Sequence, residues 1–266
     1  PYVVPEGPLS YAPMALLLPG RQVAYEPSGT TYGHLLEEEA SRKGSDVLAL
    51  GDPDYGAKFD PHALEAYARV EGAVRGGRLV PLPGTRAEAK AIGTVTLLGN
   101  AATEAGLREE IARKDARWHA IHFACHGLVD PENPTRSSLA LTPDAENDGF
   151  LTSLEVLRAN IPSDLIVLSA CETGTGTIFK GEGIVGLTRA FMFAGSPRVI
   201  CSLWKVDDEA TRALMVKFHE LWNPKDGKPG LPTAEALRQA QEFVRSQEKW
   251  KHPYFWAAWV LWGLPS

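Results

Sequence analysis

Apolar and polar positions fall along this chain in two alternating patterns. Short, nearly continuous apolar runs read as buried strands. They are SDVLALGDP (45–53, stopped by Asp-Pro), TVTLLGN (94–100), WHAIHFACHG (118–127), SSLALTP (137–143), DLIVLSACETG (164–174), RVICSLWKV (198–206) and YFWAAWVLWG (254–263). Between them lie segments with apolar residues at helical spacing: TRAEAKAI (85–92), TEAGLREEIARK (103–114), TSLEVLRANI (152–161), GEGIVGLTRAFMFAG (181–195), DDEATRALMVKFHELW (207–222) and TAEALRQAQEFVRSQ (233–247). Thr103 reads as an N-cap, Thr152 with Glu155 as a capping box, and Gly195 as a helix stop. Strands alternating with helices of this length predict an α/β fold with a mostly parallel sheet flanked by helices. Strands apolar throughout fit a sheet covered on both faces. The Gly- and Pro-rich stretch 223–232 reads as the clearest loop, and no internal repeat or composition shift divides the chain.

Composition narrows the function classes. The 266 residues are 44% hydrophobic and 23% charged, which is ordinary for a globular domain. With 27 basic and 33 acidic residues the net charge is −6, which argues against direct nucleic-acid binding and against an anionic membrane surface. No apolar run approaches a membrane span, and no signal peptide is present. The chain begins at Pro1 without a Met, as expected of a piece of a longer protein. Cys125, Cys171 and Cys201 are odd in number and widely spaced, which suits neither a disulfide framework nor a zinc site and predicts a reducing, cytoplasmic setting. The histidines at 34, 62, 119, 122, 219 and 252 form no metal spacing, so neither metal nor other cofactor is expected. Trp204, Trp256, Trp259 and Trp262 read as core.

Two runs end unusually. The first delivers His126 and Gly127 at a strand terminus; the second delivers Cys171. In a parallel sheet functional groups gather at the carboxyl ends of the strands. Were the two strands neighbours, imidazole and thiol would face each other, the requirement for a thiolate nucleophile with its base. The backbone N–H of Gly127 would then share an oxyanion with that of Cys171. A lone Cys at a strand end is more often a small buried hydrophobe, and a lone His more often structural; the joint, ordered pattern carries the catalytic reading.

The segments HFACHG (122–127), LIVLSACETGTG (165–176), 181–211 and HPYFWAAWVLWG (252–263) closely resemble the CHAT-domain proteases, bacterial relatives of caspases and separase, and the resemblance extends from VVPEGPLSYAPMALLL (3–18) to the last strand. It implies a caspase-like (clan CD) three-layer fold over a single domain, 1–266, with 1–115 as a pseudo-caspase-like or supporting half and 116–266 carrying the dyad. It also implies a cysteine endopeptidase acting on a protein partner, regulated by an N-terminal helical repeat region that is absent here. Carried over, the dyad falls on His126 and Cys171 and the oxyanion glycine on Gly127. Cys125 departs from the family, which commonly has threonine there. The stretch AGSPRVICSLWKVDDEA (194–210) is similar to the separase segment that supplies an acidic residue for a basic P1 side chain. Asp208 is the matching position, with Asp207 and Glu209 adjacent; a helix N-cap is the competing reading for Asp207 or Asp208. Glu182, at another helix start, carries the same ambiguity and leans structural. Ser169 stands where some related peptidases place a specificity aspartate. The glycines of GTGT (174–177) lack a phosphate-loop lysine and read as an active-site loop. Two other functions stay open: a conditionally silent protein-interaction module, and a non-peptidase acyl-transfer enzyme using the same thiol.

Overall fold

A computed structural model describes residues 1–39, 44–56, 59, 64, 74–75, 78–114, 116–130, 133–169, 171–172 and 183–266. The strands are β1 (Tyr2–Val3), β2 (Ala24–Tyr25), β3 (Ser45–Pro53), β4 (Val74–Arg75), β5 (Arg78–Leu79), β6 (Val95–Gly99), β7 (Trp118–Ala124), β8 (His126–Leu128), β9 (Ser138–Ala140), β10 (Phe150–Thr152), β11 (Ser163–Leu168), β12 (Cys171–Glu172), β13 (Arg198–Ser202) and β14 (Trp259–Gly263). The helices are α1 (Met14–Leu17), α2 (Gly29–Glu39), α3 (Pro83–Ile92), α4 (Glu104–Arg113), α5 (Ser153–Arg158), α6 (Gly183–Phe193), α7 (Asp208–Trp222) and α8 (Thr233–Ser246).

Eight strands form the central sheet in the order β1-β2-β14-β13-β11-β7-β3-β6. Every pairing in it is parallel except β13 with β14. Side chains alternate between its faces as strand geometry demands. Leu48, Leu50, Ile121, Phe123, Ile166, Leu168, Val199, Cys201, Val260 and Trp262 join one apolar cluster, with α4, α5 and α6 contributing Leu107, Val156 and Phe191. Val47, Ala120, Leu165, Val167, Ile200, Trp259 and Leu261 face the other cluster, closed by Ile92 of α3 and the apolar faces of α7 and α8. Helices therefore cover both faces of a mostly parallel sheet, as the continuous apolar runs predicted. Strands from both halves of the chain share it, since β3 lies between β7 and β6.

Local signals are realised where they were read. The Thr103 hydroxyl accepts from Gly106 N–H, Thr152 and Glu155 complete their capping box, and Gly195 takes φ +117° just past α6. Two runs behave otherwise. In YFWAAWVLWG only Trp259–Gly263 is strand; Pro253–Phe255 form a 3₁₀ turn that the His252 ring caps by accepting from Tyr254 N–H at 3.2 Å. The run 118–127 does not stop at His126. The main-sheet ladders on β7 end at Ala124 on the β3 side and Phe123 on the β11 side; the chain bends at Cys125 and starts β8 in a second sheet, ordered β10-β9-β8-β12.

Candidate functional site

The second sheet sits at the carboxyl edge of the first and gathers the residues singled out by their strand-end positions. β7 and β11 are parallel neighbours whose register runs to Phe123↔Leu168, and Ser169 N–H donates one further bond to Phe123 O at 2.9 Å. Both chains then pass into the second sheet together. β8 and β12 pair in parallel with Cys171 opposite Gly127 and Glu172 opposite Leu128, and β9 flanks β8 on the other side with Leu139 opposite Gly127. The backbone of Cys171 thus lies across from the residue that follows His126. The side chain of Cys171, the GTGT run and Glu182 lie outside the described residues.

His126 is buried and held from two directions. Its Nε2 lies 2.6 Å from Val80 O. A carbonyl can only accept, so Nε2 carries the hydrogen and a neutral ring keeps its lone pair on Nδ1. Its backbone N–H donates to the Tyr55 hydroxyl at 3.0 Å, and that hydroxyl donates to Ala140 O of β9 at 2.9 Å. The Tyr55 ring packs on the imidazole, centroids 5.0 Å apart. Tyr55 escapes sequence reasoning because its partners lie 71 and 85 residues away.

Beside His126 opens a cleft of about 60 Å³, lined among others by Glu88, Cys125, Ser169, Lys205 and Asp208. The three acidic residues at 207–209 have separate employments. Asp207 caps α7: its Oδ1 accepts from Glu209 N–H at 3.1 Å and Ala210 N–H at 3.0 Å. Glu209 pairs with Lys249 at 2.9 Å, and that bond holds its carboxyl below the usual range. Asp208 alone of the three lines the cleft. Partial desolvation of this otherwise exposed side chain pushes its carboxyl above the ordinary carboxylate value; Lys205 and His126 pull it down, while Asp207 and Glu88 add to the rise. It lies against the first turn of α3, where a Cβ built on Gly84 would be 3.5 Å from the Asp208 Cβ.

Glu88 is the residue that strand-end reasoning missed. It is only 3% exposed. Its Oε1 accepts from His122 Nε2 at 2.8 Å and from the Ser169 hydroxyl at 2.7 Å. A signal was present: the buried positions of α3 are Thr85, Glu88, Ala89 and Ile92, so a carboxylate occupies the apolar stripe of an amphipathic helix. Cys125 and Cys201 are buried thiols outside any disulfide. Trp256, Trp259 and Trp262 are buried, and Trp204 is partly so. Among the described residues no three His, Cys, Asp or Glu side chains group to hold a metal, and no helix is long and apolar enough to cross a membrane.

Comparison with known proteins adds ancestry to this geometry. The CHAT domain family model matches residues 2–264. The chain is 27% identical over 303 residues to human Tetratricopeptide repeat protein 28, covering 98% of this chain and 12% of that protein. The mouse protein of the same name is 27% identical over 221 residues, covering 69% of this chain and 9% of its own length. The chain therefore spans roughly a tenth of the curated relatives it matches. Both are mammalian, so these matches do not mark a bacterial source. Among solved structures, separase of Saccharomyces cerevisiae in its complex with securin superposes with a TM-score of 0.59 at 15% identity, covering 99% of this chain and 15% of that one. Gingipain R, an Arg-specific cysteine proteinase, superposes with a TM-score of 0.51 at 12% identity, covering 92% of this chain and 55% of that one. At such identities the likeness establishes the fold, the caspase-like α/β architecture of these cysteine peptidases.

Proposed function

Because the chain belongs to the CHAT domain family, we propose that it is a cysteine endopeptidase that cuts a protein partner after a basic residue, with His126 and Cys171 as its dyad. The observation that carries the reading is the register of β12 on β8, with Cys171 opposite Gly127 and therefore one residue from His126. The Val80 carbonyl supports it by holding the imidazole in the tautomer whose Nδ1 accepts a proton.

In the proposed reaction the Cys171 thiol passes its proton to His126 Nδ1, and the sulfur attacks the scissile carbonyl carbon. The oxyanion that forms is met by the backbone N–H groups of Gly127 and Cys171. Imidazolium then protonates the departing amine, and His126 draws a proton from the water that hydrolyses the thioester. Asp208 supplies the preference for a basic P1 side chain, since it faces the cleft that His126 lines while Asp207 and Glu209 are committed elsewhere.

The test is labelling with an acyloxymethyl ketone peptide carrying P1 arginine. Modification of the wild-type chain at Cys171, with none in Cys171→Ala, supports the peptidase. Cleavage of a cognate protein by a folded Cys171→Ala chain refutes it. A second reading, a silent interaction module opened by a repeat region or partner protein, draws on the repeat-containing relatives, of which this chain matches only a small part. Labelling only in the presence of such a region favours that reading. The buried, unbridged thiols of Cys125 and Cys201 accord with a reducing cytoplasm.

A further inference from the structure

The position two residues before the candidate nucleophile carries no acid of its own, because it is Ser169. Its hydroxyl is nevertheless hydrogen-bonded to a carboxylate, that of Glu88, which enters the same cleft from α3. We infer that Glu88 is a specificity-determining residue of this cleft, selecting a guanidinium over an ammonium in the side chain that enters it. The inference rests on the peptidase reading of the site for the identity of its occupant.

The two carboxylates of the cleft differ in exposure. Asp208 is exposed and lies against Gly84, whose Cβ position would be 3.6 Å from the Asp208 Oδ2. Glu88 is one turn further along the same face of α3, about 6 Å along the helix axis at 1.5 Å per residue. There it is 3% exposed and its Oε1 is anchored by His122 and Ser169. Both anchoring bonds go to Oε1, so Oε2 is the oxygen left to face an incoming group. A guanidinium is planar and offers several N–H donors in a fixed fork, so it can donate toward Oε2 while another edge meets Asp208. An ammonium is a point charge whose three donors radiate from a single atom, so it reaches two carboxylates only where both converge on that atom, without the reach of a planar fork.

A purely structural Glu88, tying α3 to β7 and β11, would show the same two hydrogen bonds, so the experiment separates selectivity from folding. Nα-acetyl-argininamide and Nα-acetyl-lysinamide are titrated into the Cys171→Ala chain and followed by NMR. The arginine ligand is expected to bind about tenfold more tightly, the weight of one additional charged hydrogen bond. Glu88→Gln should abolish that ratio while Asp208→Asn weakens both ligands. Ser169→Ala, which removes an anchor but keeps the carboxylate, should preserve a preference for arginine. Where Glu88→Gln does not fold, Glu88→Asp serves, its retracted carboxylate lowering the ratio. Equal binding of the two ligands by the Cys171→Ala chain, or an unchanged ratio in a folded Glu88 variant, overturns the inference. The measurement needs no thiol, so it is separate from catalysis. Glu88-dependent selectivity in a protein never labelled at Cys171 would sink the peptidase and leave the Glu88 assignment standing; labelling without that selectivity would do the reverse.

Discussion

Acid should destabilise this fold through His219. The residue lies on α7, 3% exposed, with neither ring nitrogen hydrogen-bonded within the described structure. The His122 ring meets it edge-on at 5.6 Å, and Phe218 and Trp222 enclose it. Burial, with a smaller contribution from His122, holds its pKa well below the ordinary value, against the pull of Asn223. The unfolded chain therefore binds a proton that the folded chain refuses. Stability from this group is complete above the unfolded value and is lost as pH falls below it. With an unfolded pKa near 6.5, moving from pH 7 to pH 5 costs about 2 kcal/mol, at ~1.4 kcal/mol per pH unit. Two carboxyls act in the opposite sense. Burial raises Glu26 and Glu104 to about 7, so acidification restores stability at those sites. The raw pH profile mixes the two, and a difference isolates the histidine. Urea unfolding at pH 7 and pH 5 is measured for the wild-type chain and for His219→Leu, a substitution near in volume that cannot titrate. The wild type should lose about 2 kcal/mol relative to the variant between those pH values. Parallel profiles, agreeing within ~0.5 kcal/mol, would mean that His219 gains its proton as readily in the fold as outside it, and the burial argument would fail.

Cys171→Ala and His126→Ala should each abolish peptide cleavage, and the double variant should be little worse than either, because a catalytic pair loses its effect as a unit; losses that multiply would separate the two residues. Asp207→Ala should cost about 1 kcal/mol of unfolding free energy and leave P1 preference alone, while Asp208→Ala should cut cleavage after arginine roughly tenfold to a hundredfold with little change in stability. The reverse assignment of those two effects would make Asp208 the structural residue. Glu26, with no hydrogen-bond partner on either oxygen among the described residues, is stabilising while protonated and loses that contribution as pH rises through about 7. Glu26→Gln should therefore gain on the order of 2 kcal/mol over the wild type between pH 5 and pH 8, measured by denaturant titration, and an equal offset at both pH values would refute it.

Long periodic elements and cap residues were legible in the sequence because they depend on neighbours three or four positions away. α4, α5 and α7 begin at hydroxyl or carboxylate caps, and the apolar strands fill a sheet covered on both sides. The second sheet was not legible. β8, β9 and β10 have three residues each and β12 two, too short for alternation to declare itself, and their pairing depends on partners far along the chain. The strand-end histidine was visible for its type and place, but the carbonyl of Val80 that orients it is 46 residues distant. Glu88 was hidden by composition: a Glu in a helix reads as solvated surface until the positions beside it on the apolar face are counted.

The wall of the cleft has a consequence for how the protein is made. His126 precedes Cys171, and both precede Lys205, Val206, Asp208, Thr211 and Trp259, which border the same cleft; Leu82, Gly84, Thr85 and Glu88 come before them. Ribosomes deliver the chain amino end first, so the Leu82–Glu88 side of the cleft is made before the candidate dyad and the α7 side after it. Chains ending between residues 171 and 205 hold both candidate residues but lack α7 and β14, and those ending before 259 still lack the Trp259 side of the cleft. On the proposed reading Glu88 is made before the dyad and Asp208 after it, so the two carboxylates of the cleft bracket the nucleophile in order of synthesis.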